Sequence, residues 1–335
     1  MGGKTLENNE FIKYMNDWRT LNANYSELIP IYMKDWYWDA VCESKDKWHV
    51  VCVYNKNDEI EAAFPFVLDK RKGLIFIELP WQVPCAGLWL RSYERSNKEK
   101  AINYLRDMVD ATLSKLPTCD CFNITFNNNL WTWHPFYWKG FECRPLYTSI
   151  VNSAEVKDFD FKSTISKYRR KRVNQAEKIY TISADKIEID DYWNFFESTY
   201  CSKDKEISYN SVQFKRLLDA LISHDSCEIR CVYDYDRKLV AENIVLKDSF
   251  RMYHQFGTQL SNEHSNATSY AVYDAITNCC NQGLIFDFEG SMIPGVFEFN
   301  SSWNPELEVH YNIYKYSLKY KIFDFIRMLI KRKTR

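Results

Sequence analysis

An α/β fold with mixed sheets, built as two tandem β-β-β-α-β domains, is what this sequence predicts. First, His49 to Phe66 (HVVCVYNKNDEIEAAFPF) recurs at a fixed offset of 179 as Glu228 to Val245 (EIRCVYDYDRKLVAENIV). Cys52-Val53-Tyr54 falls on Cys231-Val232-Tyr233, Ile60 on Leu239 and Ala62 on Ala241. Second, each copy is followed by another β-rich run, GLIFIELP or SFRMYHQFG, and then by a helical pattern. Third, each helical pattern leads to a further β-rich run, CFNITF or LIFDFEG.

Taken in order, the first two runs of each copy flank a polar turn, Asn55 to Asp58 or Asp234 to Arg237, so each pair is expected to be a β-hairpin. Ala101, Tyr104, Leu105 and Met108 recur at the spacing of one helix face, as do Val272, Ala275, Ile276 and Cys279. Gly283 stands where a helix of the second copy would end in a left-handed residue. A strand-helix-strand passage of this kind favours a right-handed crossover. The expected domains are residues 1–145 and residues 146–335, the second closing with a basic C-terminal helix. The junction between the repeats is expected in the aromatic stretch Trp131 to Phe141.

Composition bounds the function. Apolar residues make up 46% of the 335, enough for a sizeable core, and a net charge of -1 offers no global pull toward nucleic acid. No DNA partner is expected. The N-terminus lacks an apolar leader and no long apolar run occurs, which predicts a soluble cytoplasmic protein. Eleven cysteines without a C-x-x-C pair read as reduced, largely buried thiols, and no metal is expected. Walker A, G-x-S-x-G and H-E-x-x-H motifs are all missing.

Four stretches carry a resemblance. They are Lys139-Gly140-Phe141 with the strand PLYTSIVN, the basic segment STISKYRRKRVNQAEK, Tyr209-Asn210-Ser211 ahead of FKRLLDAL, and FDFEGSMIPGVFEFNSSWNP. Together with the duplication they resemble the Fem-type branch of the GNAT acyltransferase superfamily, over most of the chain from about residue 40. The resemblance implies transfer of an acyl group from acyl-coenzyme A, such as acetyl-coenzyme A, to an amine. In some Fem enzymes the donor is instead aminoacyl-tRNA and the acceptor a cell-wall precursor. Two departures stand out. The loop Gly257 to Thr268 has no glycine after Gly257, unlike the Gln/Arg-x-x-Gly-x-Gly/Ala of coenzyme A-binding relatives, and Asn300 stands where the family has lysine. A long paired helical arm is also missing.

Candidate site residues follow from chemistry as well. Gly257 and the small run Ser265, Asn266, Ala267, Thr268 and Ser269, opening the second predicted helix, could cradle donor phosphates on exposed N–H groups. Arg169 and Arg172 fall on the apolar side of the basic helix expected over Ser163 to Ile179. They read either as an anion clamp or as cations paired to acids. Glu242, His254 and Glu289 have no acidic or basic counterpart in the first copy and are candidates for proton transfer. The alternatives are a cross-strand ion pair of Glu242 with Arg251 and a core imidazole for His254. Asp287 and Glu289 share strand parity and so one face, either a substrate-binding wall or a plain turn; Tyr209 is a further substrate-binding candidate.

The reading closes on an N-acyltransferase acting on an amino sugar or small amine, in the service of the cell envelope. A tRNA-dependent Fem-type transferase with a lipid-linked acceptor, or a non-catalytic binding module, are the alternatives. The tail YKIFDFIRMLIKRKTR is amphipathic and basic, and reads as a peripheral membrane contact or as a solvated helix.

Overall fold

The computed structural model describes residues 9–44, 47–91, 97–152, 160–183, 188–201, 207, 210–260 and 264–333. Within them lie twelve strands and eleven α-helices. The chain opens with α1 (Asn9–Asn24) and α2 (Asp35–Cys42), then β1 (His49–Tyr54), β2 (Ile60–Arg71), β3 (Leu74–Glu78) and β4 (Trp89–Leu90). There follow α3 (Lys98–Lys115), β5 (Cys121–Phe126), α4 (His134–Tyr137) and β6 (Glu142–Asn152). Next come α5 (Phe161–Thr164), α6 (Lys167–Ala176), β7 (Thr181–Ser183), α7 (Ile189–Cys201) and α8 (Ser211–Ser223). The second copy of the repeat is β8 (Cys227–Tyr233), β9 (Leu239–Lys247), β10 (Arg251–Gln259), α9 (Ser265–Asn281) and β11 (Ile285–Asp287). The chain continues through α10 (Pro294–Ser301), β12 (Glu306–Tyr316) and α11 (Leu318–Lys333).

Two compact units result, one of Met1–Leu146 with Val309–Arg335 and one of Tyr147–Glu308. The last segment therefore belongs with the first unit, not with the second as the sequence suggested. The cause is local: β12 pairs antiparallel with β5 from Tyr311↔Phe126 to Tyr316↔Cys121. That pairing carries α11 with it.

In the first unit the strand order is β1-β2-β3-β5-β12, with β3 and β5 parallel and β4 paired to β2. Its core is aromatic, with Trp18, Trp38, Trp48, Phe64, Phe66 and Phe126 all buried. The stretch Trp131 to Phe141 divides by chemistry. Phe136 and Phe141 are buried against Phe126 and Phe122, whereas Tyr137 and Trp138 are exposed.

In the second unit the order is β6-β11-β10-β9-β8-β7, with β10 and β11 parallel and the other pairs antiparallel. Helix α9 buries Ala267, Ala271, Val272 and Ala275 against Ala241, Val245 and Met252. Helices α7 and α8 cover the opposite face, where Phe196 and Phe214 pack on Phe256 and the Thr199 and Thr258 hydroxyls share a hydrogen bond. The alternation of strand side chains gives each face its own helix layer.

The repeat is visible in the register itself. Cys52↔Ala63 and Val53↔Ala62 in β1-β2 correspond to Cys231↔Glu242 and Val232↔Ala241 in β8-β9. A register shift follows in both, between Val53 and Tyr54 and between Val232 and Tyr233. A shared bulge at a shared offset is a strong mark of duplication, because bulges redirect a whole strand.

Candidate functional site

Helix α9 starts just after β10, and its first turn is where the sequence predicted a phosphate cradle. Small residues leave that turn accessible; Asn266 and Thr268 are half-buried, and Ala267 and Ser269 are fully buried. Helix α6 lies against α9 and points two arginines at it. The Arg169 guanidinium donates to the Ser302 hydroxyl at 2.8 Å and to the Ser269 hydroxyl, while Arg172 donates to the Asn266 side chain at 3.2 Å. Arg169 also lies over the Phe299 and Trp303 rings, at 4.2 and 4.9 Å from their centroids.

Arg169 is only 4% exposed, and among the described residues no carboxylate pairs with it. Burial holds its pKa down to about 10, and the neighbouring Arg172 pushes in the same direction. A buried cation beside another cation, at the positive end of a helix, is a place that asks for an anion. The reading of Arg169 as an acid-paired surface cation does not hold. The single helix expected over Ser163 to Ile179 is broken: Ser166, with ψ 147°, is extended, and its hydroxyl accepts from the Arg169 N–H at 3.1 Å to cap α6. That cap sets the rotation that turns Arg169 inward.

Next to the cradle, β10 departs from its neighbours. It pairs with β11 only through Arg251, Met252 and Tyr253, then continues to Gln259, with a register shift against β9 between His254 and Phe256. Gly257 is exposed on this stretch, and a Cβ there would stand 3.2 Å from the His254 Nε2. Glycine therefore leaves the imidazole edge uncovered. The Nε2 atom has no hydrogen-bond partner among the described residues, and burial lowers the His254 pKa to about 4, so the ring is neutral at pH 7. Directly across from Gly257 sits Asn243, fully buried, with both side-chain polar atoms unpartnered among the described residues. Buried polar groups without partners cost about 1–3 kcal/mol each, a cost that a bound water or ligand would remove. Sequence inspection missed Asn243. Its signal was available, since the repeat offset sets it against Phe64 in the first copy.

Glu242 and His254 do not share a cleft. In register Glu242 stands opposite Cys231 and Thr258, on the α7-α8 face, whereas His254 stands opposite Val245 on the α9 face. Nor does Glu242 pair with Arg251. It is 1% exposed with neither carboxylate oxygen bonded, and burial raises its pKa to about 9, so it is a neutral acid at pH 7.

The acidic pair after β11 is not a pair on one strand face. Asp287 ends the strand and is 3% exposed; it accepts from Arg251 at 3.0 Å, from the Thr148 hydroxyl and from the Glu289 N–H at 2.8 Å. Glu289 already has a φ of 62°, outside the strand. Gly290 follows with φ 53°, and a Cβ there would meet the Tyr147 carbonyl oxygen at 2.3 Å. Asp287 thus anchors the turn onto β6 with its oxygens occupied. Tyr209 and the side chain of Ser265 lie outside the described residues.

Neither a protein-family profile nor a curated protein matches the chain. Solved structures do. FemX superposes with a TM-score of 0.64 at 12% identity, over 97% of this chain and 100% of that one. The fold is the Fem-type tandem GNAT fold. The C-terminal DUF2156 domain assigned to a lysylphosphatidylglycerol synthetase of Agrobacterium fabrum reaches 0.56 at 8% identity, over 95% and 97% of the two chains. L-PGS of Bacillus licheniformis reaches 0.51 at 9% identity, over 84% and 88%. Within this tandem GNAT fold the two units are chemically unequal. The offset sets Ala63, Phe64 and Ile75 of the first against Glu242, Asn243 and His254 of the second.

Proposed function

We propose that the protein is an acyltransferase whose second unit binds a phosphate-bearing acyl donor, with acyl-coenzyme A as the first reading and an amine as the acceptor. The observation that carries this is the buried Arg169, without a carboxylate partner among the described residues, at the N-terminus of α9. Donor phosphate would take the free first-turn N–H groups at Ser265 to Ala267 together with Arg169 and Arg172. The acyl arm would then run along the unpaired edge of β10 past Gly257, where Asn243 could supply a hydrogen bond.

In the reaction the amine nitrogen attacks the thioester carbonyl, the new C–N bond forms, and the C–S bond breaks to release the thiol. The proton lost by the amine passes to the His254 Nε2, directly or through one water, and from there to the leaving sulfur. His254 takes this role in preference to Glu242, because a protonated carboxyl on the opposite face is no base. An anionic donor beside the imidazole would raise its pKa from about 4 toward a more useful value.

A second reading is favoured by the similar structures, which include FemX, a domain assigned to a lysylphosphatidylglycerol synthetase, and L-PGS. In it the donor is aminoacyl-tRNA, held by the same arginines, and the acceptor is lipid-linked. Thermal-shift titrations with acetyl-coenzyme A, a long-chain acyl-coenzyme A and bulk tRNA separate the two. A shift with either coenzyme A ester supports the first reading. A salt-sensitive shift with tRNA alone replaces it by the second, and no shift with any of them leaves a binding module.

A further inference from the structure

Helix α11 ends the described part of the first unit, and its two sides differ. One side is fixed to that unit. Tyr320 packs edge-on to Phe76 at 5.9 Å and stacks on Tyr316 at 4.7 Å, Lys72 lies over the Phe323 ring, and Lys319 donates to the Gly73 carbonyl. The other side is apolar and bare. Leu318, Ile322, Phe325 and Leu329, spaced i, i+4, i+7 and i+11, are 74, 53, 58 and 44% exposed, and Ile326 beside them is 50% exposed. A soluble monomer has no use for so continuous a stripe.

We infer that this stripe docks the protein onto an anionic lipid surface. Charge selects that occupant. Residues 318–333 contain six basic side chains (Lys319, Lys321, Arg327, Lys331, Arg332 and Lys333) against the single Asp324, in a chain whose net charge is only -1. A second copy of the same helix would bring like charges together, whereas lipid phosphates neutralise them. On the helix wheel Lys321 borders the stripe, so its aliphatic stem can follow the apolar face downward while its ammonium group stays at headgroup level. Asp324 faces away and is bonded to Arg327 at 2.7 Å. The exposed length, from Leu318 to Leu329, is about 16 Å at the rise of an α-helix, enough for a helix lying in the membrane plane rather than crossing it. No helix among the described residues is long and apolar enough to span a membrane.

The inference is independent of the donor proposal and is tested separately. The full chain is sedimented with vesicles of phosphatidylcholine alone and with added phosphatidylglycerol. Binding is expected only to the anionic vesicles, weakening as salt is raised. Replacing Ile322, Phe325 and Leu329 together by serine should lower the partition on the order of a hundredfold with an unchanged melting temperature, since those side chains are already in solvent. Lys321→Glu, which leaves the stripe intact, should lower it by about tenfold or more. The inference is overturned if the wild type ignores anionic vesicles, or if the triple variant binds them as well as the wild type. It is also overturned if the stripe instead holds a dimer, seen as a concentration-dependent mass that the triple variant abolishes.

Discussion

Arg169→Met is the most informative single change, because its effects on folding and on ligand binding should part company. In the free protein the guanidinium makes charge-assisted bonds to two hydroxyls, at about 1.5–3 kcal/mol each. Two ring contacts add about 0.5–2 kcal/mol each. Against these gains stands the removal of an uncompensated cation from water, several kcal/mol per ion. Methionine fills the same space against Phe299 and Trp303, and the Ser302 hydroxyl keeps its bond to the Phe299 carbonyl at 2.6 Å. The net change in unfolding free energy should therefore lie within about 1 kcal/mol of zero. Binding is another matter. Two lost hydrogen bonds to a phosphate amount to about 3 kcal/mol, roughly a hundredfold in dissociation constant. Urea denaturation of the free protein and calorimetric titration with coenzyme A, or with tRNA if that is what shifts the wild type, measure the two quantities. A variant destabilised by several kcal/mol but with unaltered donor affinity would show that Arg169 is structural, and the reasoning would fail.

The remaining expectations concern neighbouring residues. With the Glu242 pKa raised to about 9 in the folded state, stability from this group is fully present below the ordinary carboxylate range and declines as pH rises toward 9. The decline is at most about 1.4 kcal/mol per pH unit, and Glu242→Gln should flatten it when urea curves at pH 6 and pH 8 are compared. His254→Ala should lower the transfer rate by about 10²–10⁴-fold without altering donor affinity more than a few-fold, as read by separate kcat and binding measurements. Because a bound anionic donor raises the His254 pKa above its free-protein value of about 4, the acid limb of kcat should lie above that value, as a pH–rate profile at saturating donor measures. Gly290→Ala should destabilise by about 1–3 kcal/mol in urea, because a Cβ would meet the Tyr147 carbonyl oxygen at 2.3 Å in a left-handed residue. A neutral result would mean that the turn relaxes.

Much of the fold was legible because duplication preserves pattern. The offset that aligns Cys52 with Cys231 also aligns the paired register and the bulge of the two hairpins. The residues proposed to hold the donor could be picked out by type, since Arg169 and Arg172 stand out as cations on an apolar face and Ser265 to Ser269 as small residues at a helix start. What could not be read depends on long-range register. That Glu242 and His254 face opposite sides of one sheet follows from where β9 and β10 slip past each other, which no spacing reveals. Asn243 was hidden by the same ignorance of facing. The sharing of β12 with the first unit is a pairing across 185 residues, from Phe126 to Tyr311, beyond any local signal.

That last pairing has a consequence for synthesis. The second unit, Tyr147–Glu308, is one uninterrupted stretch and is complete as soon as Glu308 has left the ribosome. The first unit, though begun earlier, still lacks its last strand. Until Tyr311 to Tyr316 emerge, β5 presents an unpaired row of backbone groups from Cys121 to Phe126, in a segment as sticky as CFNITF. The half made first is thus the half finished last. Chains stalled or cut between Glu308 and Tyr311 should pair that open edge with one another and aggregate.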